Sequence, residues 1–165
     1  LHVIEMNKEV EETIESIFSI LRQESEELSK EFPNIKPSLI LTSYNESEIE
    51  ELEKEFNIKV PRIQKEFIAK YSPERFHIMY TDIYGIAGLR KELQDYIPEE
   101  LLKEGYLPFA GSEGNYYCLN MEKDEDRVYF FDHEEYGISR TGLKFGSFFK
   151  DLLASKLEMK EDDNM

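Results

Sequence analysis

LPFAGSEGNYYCLNMEKDEDRVYFFDHE, residues 107–134, places a turn, two strands and a charged corner in one short stretch. Tyr116 to Met121 and Arg127 to Phe131 are rich in aromatic and branched side chains and flank the acidic run Glu122-Lys123-Asp124-Glu125-Asp126. That pattern predicts two antiparallel strands joined by a solvated loop. Ahead of them, Gly111, Ser112, Gly114 and Asn115 are residue types that turn a chain sharply. Behind them, Asp132-His133-Glu134-Glu135 is the cluster that invites a catalytic reading.

Outward from this centre the chain reads as helices. From about Asn7, the apolar positions Val10, Ile14, Ile17, Leu21 and Leu28 fall on one stripe of a long helix, widened by Phe18 and Ile20, with glutamates elsewhere. Phe32-Pro33-Asn34 ends it, because a residue before proline avoids helical backbone angles. Ser47-Glu48-Ile49-Glu50 has the spacing of a capping box, so a helix is expected from Ser47 with Ile49, Leu52 and Phe56 buried. Pro61 suits a first helical position, and Ile63, Phe67 and Tyr71 mark the helix it opens, which ends before Pro73. Arg75 to Ile83 reads as one strand, Ala87 to Tyr96 as a short helix, and Pro98 to Lys103 as a further helical turn. Ser147 is the expected cap of a last helix carrying Phe148, Phe149, Leu152, Leu153 and Leu157. Helices, antiparallel strands and a closing helix make an α+β layer fold, an antiparallel sheet flanked by helices. Burying a side chain such as Phe130 or Leu119 against that last helix contributes roughly 1.5–3 kcal/mol.

The chain's 165 residues suit one domain, and 40% hydrophobic content supplies a core while 34% charge keeps the surface wet. With 36 acidic against 20 basic residues, the formal net charge is −16. Phosphate backbones are bound by clustered lysine and arginine, so a nucleic-acid partner is not expected. The same charge speeds encounter with a basic protein and also confers solubility. No run of eighteen apolar residues and no basic leader followed by an apolar stretch is visible, so neither a membrane span nor a membrane partner is expected, and a cytoplasmic protein is. Cys118 lies in a strand between Tyr117 and Leu119 and reads as a small core residue, without a second thiol for a disulfide or a zinc site.

Three places in the sequence carry residue types suited to chemistry. On a strand, Asp132 and Glu134 share one face while His133 points to the other, so the three converge on an ion only if the chain turns there. Gly111-Ser112-Glu113-Gly114 lacks the lysine of a phosphate loop, carries a carboxylate where the anion would sit, and precedes a strand, so it reads as a turn. No serine stands in a nucleophile elbow, and Cys118 has no activating histidine in its neighbourhood of sequence. No cofactor, no metal and no catalytic residue are expected.

The chain resembles the SUKH superfamily, the Smi/Knr-like group that includes fungal cell-wall regulators and bacterial immunity proteins. Ser47 to Phe56, Val60-Pro61 and Phe67 to Tyr71 look like its opening helix, Leu-Pro break and second helix, with Val60 in place of leucine. Leu107-Pro108-Phe109-Ala110-Gly111 with Gly114-Asn115 looks like its glycine-bearing turn. Tyr116 to Asn120 looks like its aromatic-Cys-Leu-Asp strand with Asn120 for aspartate, and Val128 to Glu134 like the strand ending in Asp-His with Phe131 for tryptophan. Ser147-Phe148 and Leu152-Leu153 resemble its closing helix. The resemblance implies an α+β fold, a SUKH-like domain over residues 46–158, an N-terminal helical extension over 1–45 and an acidic flexible tail over 159–165. It further implies a non-enzymatic immunity protein that occludes a cognate, basic toxin acting on nucleic acid; the alternative is a regulatory interaction scaffold for envelope or signalling proteins. The expected interface uses Gly111, Ser112, Glu113, Gly114 and Asn115 with Asp124, Glu125 and Asp126, and has Asp132, His133, Glu134 and Glu135 beside them. The stripe on the first helix is the expected surface of any homodimer.

Overall fold

Residues 5–163 are described in a computed structural model, which leaves His2 and the last two residues of the tail outside the described part. Helix α1 (Lys8–Glu31) opens at Asn7, whose side-chain oxygen accepts from the Val10 amide and so satisfies one of the free N–H groups of the first turn. Strand β1 (Leu39–Leu41), α2 (Glu46–Phe56) and α3 (Arg62–Tyr71) follow. Next come β2 (Pro73–Ile78), β3 (Thr81–Ile83), α4 (Ile86–Asp95) and α5 (Glu99–Lys103). The chain ends with β4 (Tyr106–Ser112), β5 (Asn115–Asn120), β6 (Arg127–Asp132), β7 (Gly137–Lys144) and α6 (Phe145–Asp163). All seven strands form one antiparallel meander in sequence order. The α+β architecture expected from the sequence is the one observed.

Residue alternation gives each face of the sheet its cover. Phe109 and Tyr117 point to α6, where Phe109 packs against Phe145 and both meet Phe148. On the same side Phe67 of α3 and Phe76 of β2 stack with Phe149, so six phenylalanines close the core there. Helix α1 completes this layer. Ile14, Ile17, Phe18 and Leu21 are buried, and the Phe18 ring meets Tyr71 and Phe76 edge-on. Ion pairs Lys150–Glu9, which is exposed, and Lys156–Glu24, which is largely covered, tie α1 to α6. The stripe read from the sequence is therefore buried within its own chain, while Leu28, Phe32 and Ile35 at its far end are exposed.

Several local expectations are corrected. Arg75 to Ile83 is a hairpin, because Met79 and Tyr80 turn the chain with φ of 50° and 62°. Helix α2 is capped by Asn45, which accepts from the Ser47 amide; Ser47 lies within the first turn and its hydroxyl donates to the same Asn45 oxygen. Pro61 is the residue before α3, which begins at Arg62. Helix α6 starts at Phe145, ahead of Ser147, since the Phe145 amide is held by the Asp126 carbonyl at 2.7 Å. The helix continues through Asp163, past the point where the sequence suggests a loose tail.

Candidate functional site

The meander puts alternate turns at opposite ends of the sheet. The β2–β3 turn at Met79–Tyr80, the β4–β5 turn at Glu113–Gly114 and the β6–β7 turn at His133–Tyr136 lie at one end. Two contacts bind them together. Ser112 Oγ donates to the Tyr80 carbonyl at 2.9 Å. The Asn115 side-chain oxygen accepts from the His133 amide at 3.0 Å and from His133 Nδ1 at 2.6 Å, which fixes the ring with its proton on Nδ1. The His133 ring lies 3.3 Å from the position a Cβ on Gly114 would take, and Gly114 has φ of 87°, so both space and backbone demand glycine there.

Of the residues expected at an interface, Gly111, Ser112, Glu113, Gly114 and Asn115 thus stand beside Asp132, His133, Glu134 and Glu135. Asp124, Glu125 and Asp126 do not. Their loop joins β5 to β6 at the other end of the strands, roughly 20 Å away for a six-residue strand. There Asp124 pairs with Arg62 at 3.3 Å, Glu125 accepts from the Tyr129 hydroxyl at 2.7 Å, and the Asp126 carbonyl holds α6. These acids are engaged with the fold at that end, and Gly111 is buried beneath the Tyr84 hydroxyl, so the other eight residues form the turn face.

Beside the three turns, on the sheet face opposite α6, a cleft of about 390 Å³ opens between α4 and the β6–β7 turn. Its floor is the cross-strand pair Tyr116 and Phe131, whose rings lie 6.4 Å apart at 27°. Tyr136 stands against that floor, 82° to the Phe131 ring at 5.3 Å, and Tyr96 at the end of α4 forms the facing wall. Glu92 supplies a carboxylate, and its Oε1 accepts from the Tyr84 hydroxyl at 3.0 Å. Burial first, and then the Glu92 carboxylate, pushes the Tyr84 and Tyr116 phenols above their ordinary range. Tyr136 is raised by local desolvation and then by the carboxylates of Glu100 and Glu104. The cleft was not legible in the sequence, where Tyr116 and Phe131 read as strand core. The one available signal was Tyr96 and Tyr136, large rings that turn out 62% and 53% exposed.

Other chemistry is sparse among the described residues. His77 Nδ1 and Asp82 Oδ1 meet at 2.8 Å across the β2–β3 hairpin, but no hydroxyl or thiol is hydrogen-bonded to that ring among the described residues. Asp132 is occupied by accepting from the Glu134 amide at 2.9 Å, and no three His, Cys, Asp or Glu side chains among the described residues are grouped to hold a metal ion. Cys118 is buried, and burial pushes its thiol well above the usual range, away from the thiolate a nucleophile requires. No helix is long and apolar enough to cross a membrane among the described residues.

A model of the SMI1 / KNR4 family (SUKH-1) matches residues 44–151. The chain belongs to that family. In this SUKH-1 protein the matched segment runs from just before α2 into α6, so it holds every residue of the cleft and all three turns. Helix α1 lies outside the match yet packs into the same core as the SUKH-1 segment. Comparison with curated proteins and with solved structures gave no match.

Proposed function

We propose that this SUKH-1 protein is a cytoplasmic immunity protein, which binds a basic, nucleic-acid-acting toxin stoichiometrically and blocks it by occlusion. The observation that carries the reading is the makeup of the turn-bearing end of the sheet. Rigid backbone turns, exposed tyrosines and a cleft edged by carboxylates form a contact surface, and they do not bring together a nucleophile, a base and an orienting group. Aromatic anchors contribute affinity, while the chain's −16 charge accelerates encounter with a cationic partner. No turnover is required of such a protein.

The test is titration of the purified chain against the polymorphic toxin domain encoded beside it, with toxin activity read in parallel. A one-to-one complex that abolishes toxin activity, and whose association slows as salt rises, is the expected result. Absence of a complex at low salt would overturn the reading in favour of a regulatory interaction scaffold.

A further inference from the structure

Resting on that reading, we propose that the cleft between α4 and the β6–β7 turn receives one arginine side chain of the partner, stacked on its tyrosines and paired with Glu92. The floor and wall arrangement is the first ground. Tyr116 and Phe131 lie side by side, and Tyr136 meets Phe131 nearly at a right angle, so two ring directions face one small space. A cation over such faces is drawn to the negative centre of each ring, and the draw grows where water is excluded.

Charge is the second ground. Glu92 lines the cleft, Glu100 and Glu104 act on the Tyr136 phenol, and neither lysine nor arginine lines it among the described residues. Within the chain these carboxylates meet phenols, and the one basic side chain lining the cleft among the described residues is His133, whose Nδ1 is held by Asn115. A volume of about 390 Å³ is near the lower end for ligand pockets, which suits a single side chain better than an extended ligand. Guanidinium fits better than ammonium, because it is flat, weakly hydrated and forks onto a carboxylate while lying on a ring. The Tyr84 hydroxyl donates to Glu92 Oε1 and the Tyr116 phenol also bonds this carboxylate, so the guanidinium joins two phenols on it.

The probes are N-acetyl-arginine methylamide and its neutral citrulline counterpart, titrated into the full chain at low salt with NMR detection of the tyrosine rings and of the probe's δ-protons. The arginine probe's δ-protons shift upfield under the rings, and the citrulline probe binds about fivefold to tenfold more weakly. Tyr136→Leu, which keeps apolar bulk, and Glu92→Gln, which keeps an acceptor for Tyr84, each weaken the arginine probe by a similar factor while the thermal midpoint stays near that of the parent. Equal binding of the two probes, no ring perturbation by either, or indifference of the arginine probe to both variants would overturn the proposal. Toxin neutralisation by the parent chain separates the two claims. Neutralisation without probe discrimination sinks the arginine cleft alone, and probe discrimination without neutralisation sinks the immunity role alone.

Discussion

The hydroxyl of Tyr84 occupies the place where Gly111 would otherwise carry a side chain: an ideal Cβ on Gly111 falls 2.0 Å from that oxygen. Gly111 sits in β4 opposite Tyr116, so the absent side chain lets the phenol cross the strand and reach Glu92. Space, and not backbone angle, is what selects glycine here, because Gly111 is not among the residues with positive φ.

Gly111→Ala therefore evicts the Tyr84 phenol. The expected cost is about 1–3 kcal/mol of folding free energy, the usual range for overpacking a filled site, measured as a lower denaturant midpoint with an unchanged slope. Pairing it with Tyr84→Phe tells whether the hydroxyl is the obstacle. If the double variant is no more stable than Gly111→Ala alone, the clash has been placed on the wrong atom.

Helix α1 lies outside the family match but is bonded into the core by Ile14 and Ile17, both without exposed surface. Ile17→Ala should cost about 2–5 kcal/mol, a large fraction of the roughly 5–15 kcal/mol of a typical domain. Breaking the exposed Lys150–Glu9 pair with Glu9→Gln should cost about 1 kcal/mol or less, since solvent screens it. Chemical denaturation of the two variants side by side makes the comparison. An Ile17→Ala protein within about 0.5 kcal/mol of its parent would mean that α1 is a detachable appendage.

The layers of this fold were legible because long periodic segments declare themselves. The stripe of α1, the aromatic strands β5 and β6 and the apolar face at Phe148 and Phe149 were all read from spacing, as was Cys118 as a core residue. Strands β1, β4 and β7 escaped for physical reasons, β4 because Pro108, Gly111 and Ser112 read as a turn, and β2 and β3 read as one strand. β1 is only Leu39–Leu41, too short to show alternation. β7 is an edge strand with mostly exposed positions, so its partner β6, and not its own side chains, makes it a strand. The break between β2 and β3 falls at Met79–Tyr80, where no glycine, asparagine or aspartate marks a turn. The site was half legible: the glycine turn and the Asp-His corner were named and do meet through Asn115 and His133. Glu92 and Tyr96 lie on a helix far along the chain from that corner, and only the tertiary fold brings them to it.

That unmarked turn carries its own prediction. Met79 and Tyr80 both hold left-handed backbone angles, which cost a side-chain-bearing residue roughly 1–2 kcal/mol. The Tyr80 ring is 74% exposed, and the bond to Ser112 uses its carbonyl, so neither burial nor that contact repays the strain. Tyr80→Gly should stabilise the fold by about 0.5–1 kcal/mol after the extra freedom glycine gives the unfolded chain. Should the ring anchor the partner, the same variant binds the toxin more weakly while melting higher, the trade expected of strain kept for function. A variant less stable than its parent would show that the ring packs in a way the turn geometry does not reveal.

Buried phenols give the protein an alkaline limit. Tyr84, Tyr116 and Tyr71 are all raised above the ordinary phenol value of about 10, in each case by burial first and by neighbouring carboxylates second. Each keeps its proton in the folded chain at a pH where the unfolded chain has released it, so above about pH 10 the folded state binds more protons. Their contribution is fully present below that pH and is lost as pH rises toward the folded values, by up to about 1.4 kcal/mol per pH unit for each phenol. Denaturant midpoints should hold level from about pH 8 to 9.5 and then fall, with the tyrosinate absorbance of these three phenols appearing only as the chain unfolds. Tyr84→Phe removes one of the three groups and should make that fall shallower. A flat stability profile through about pH 11, or tyrosinate forming in the folded protein for all ten tyrosines, would mean that these rings are open to water.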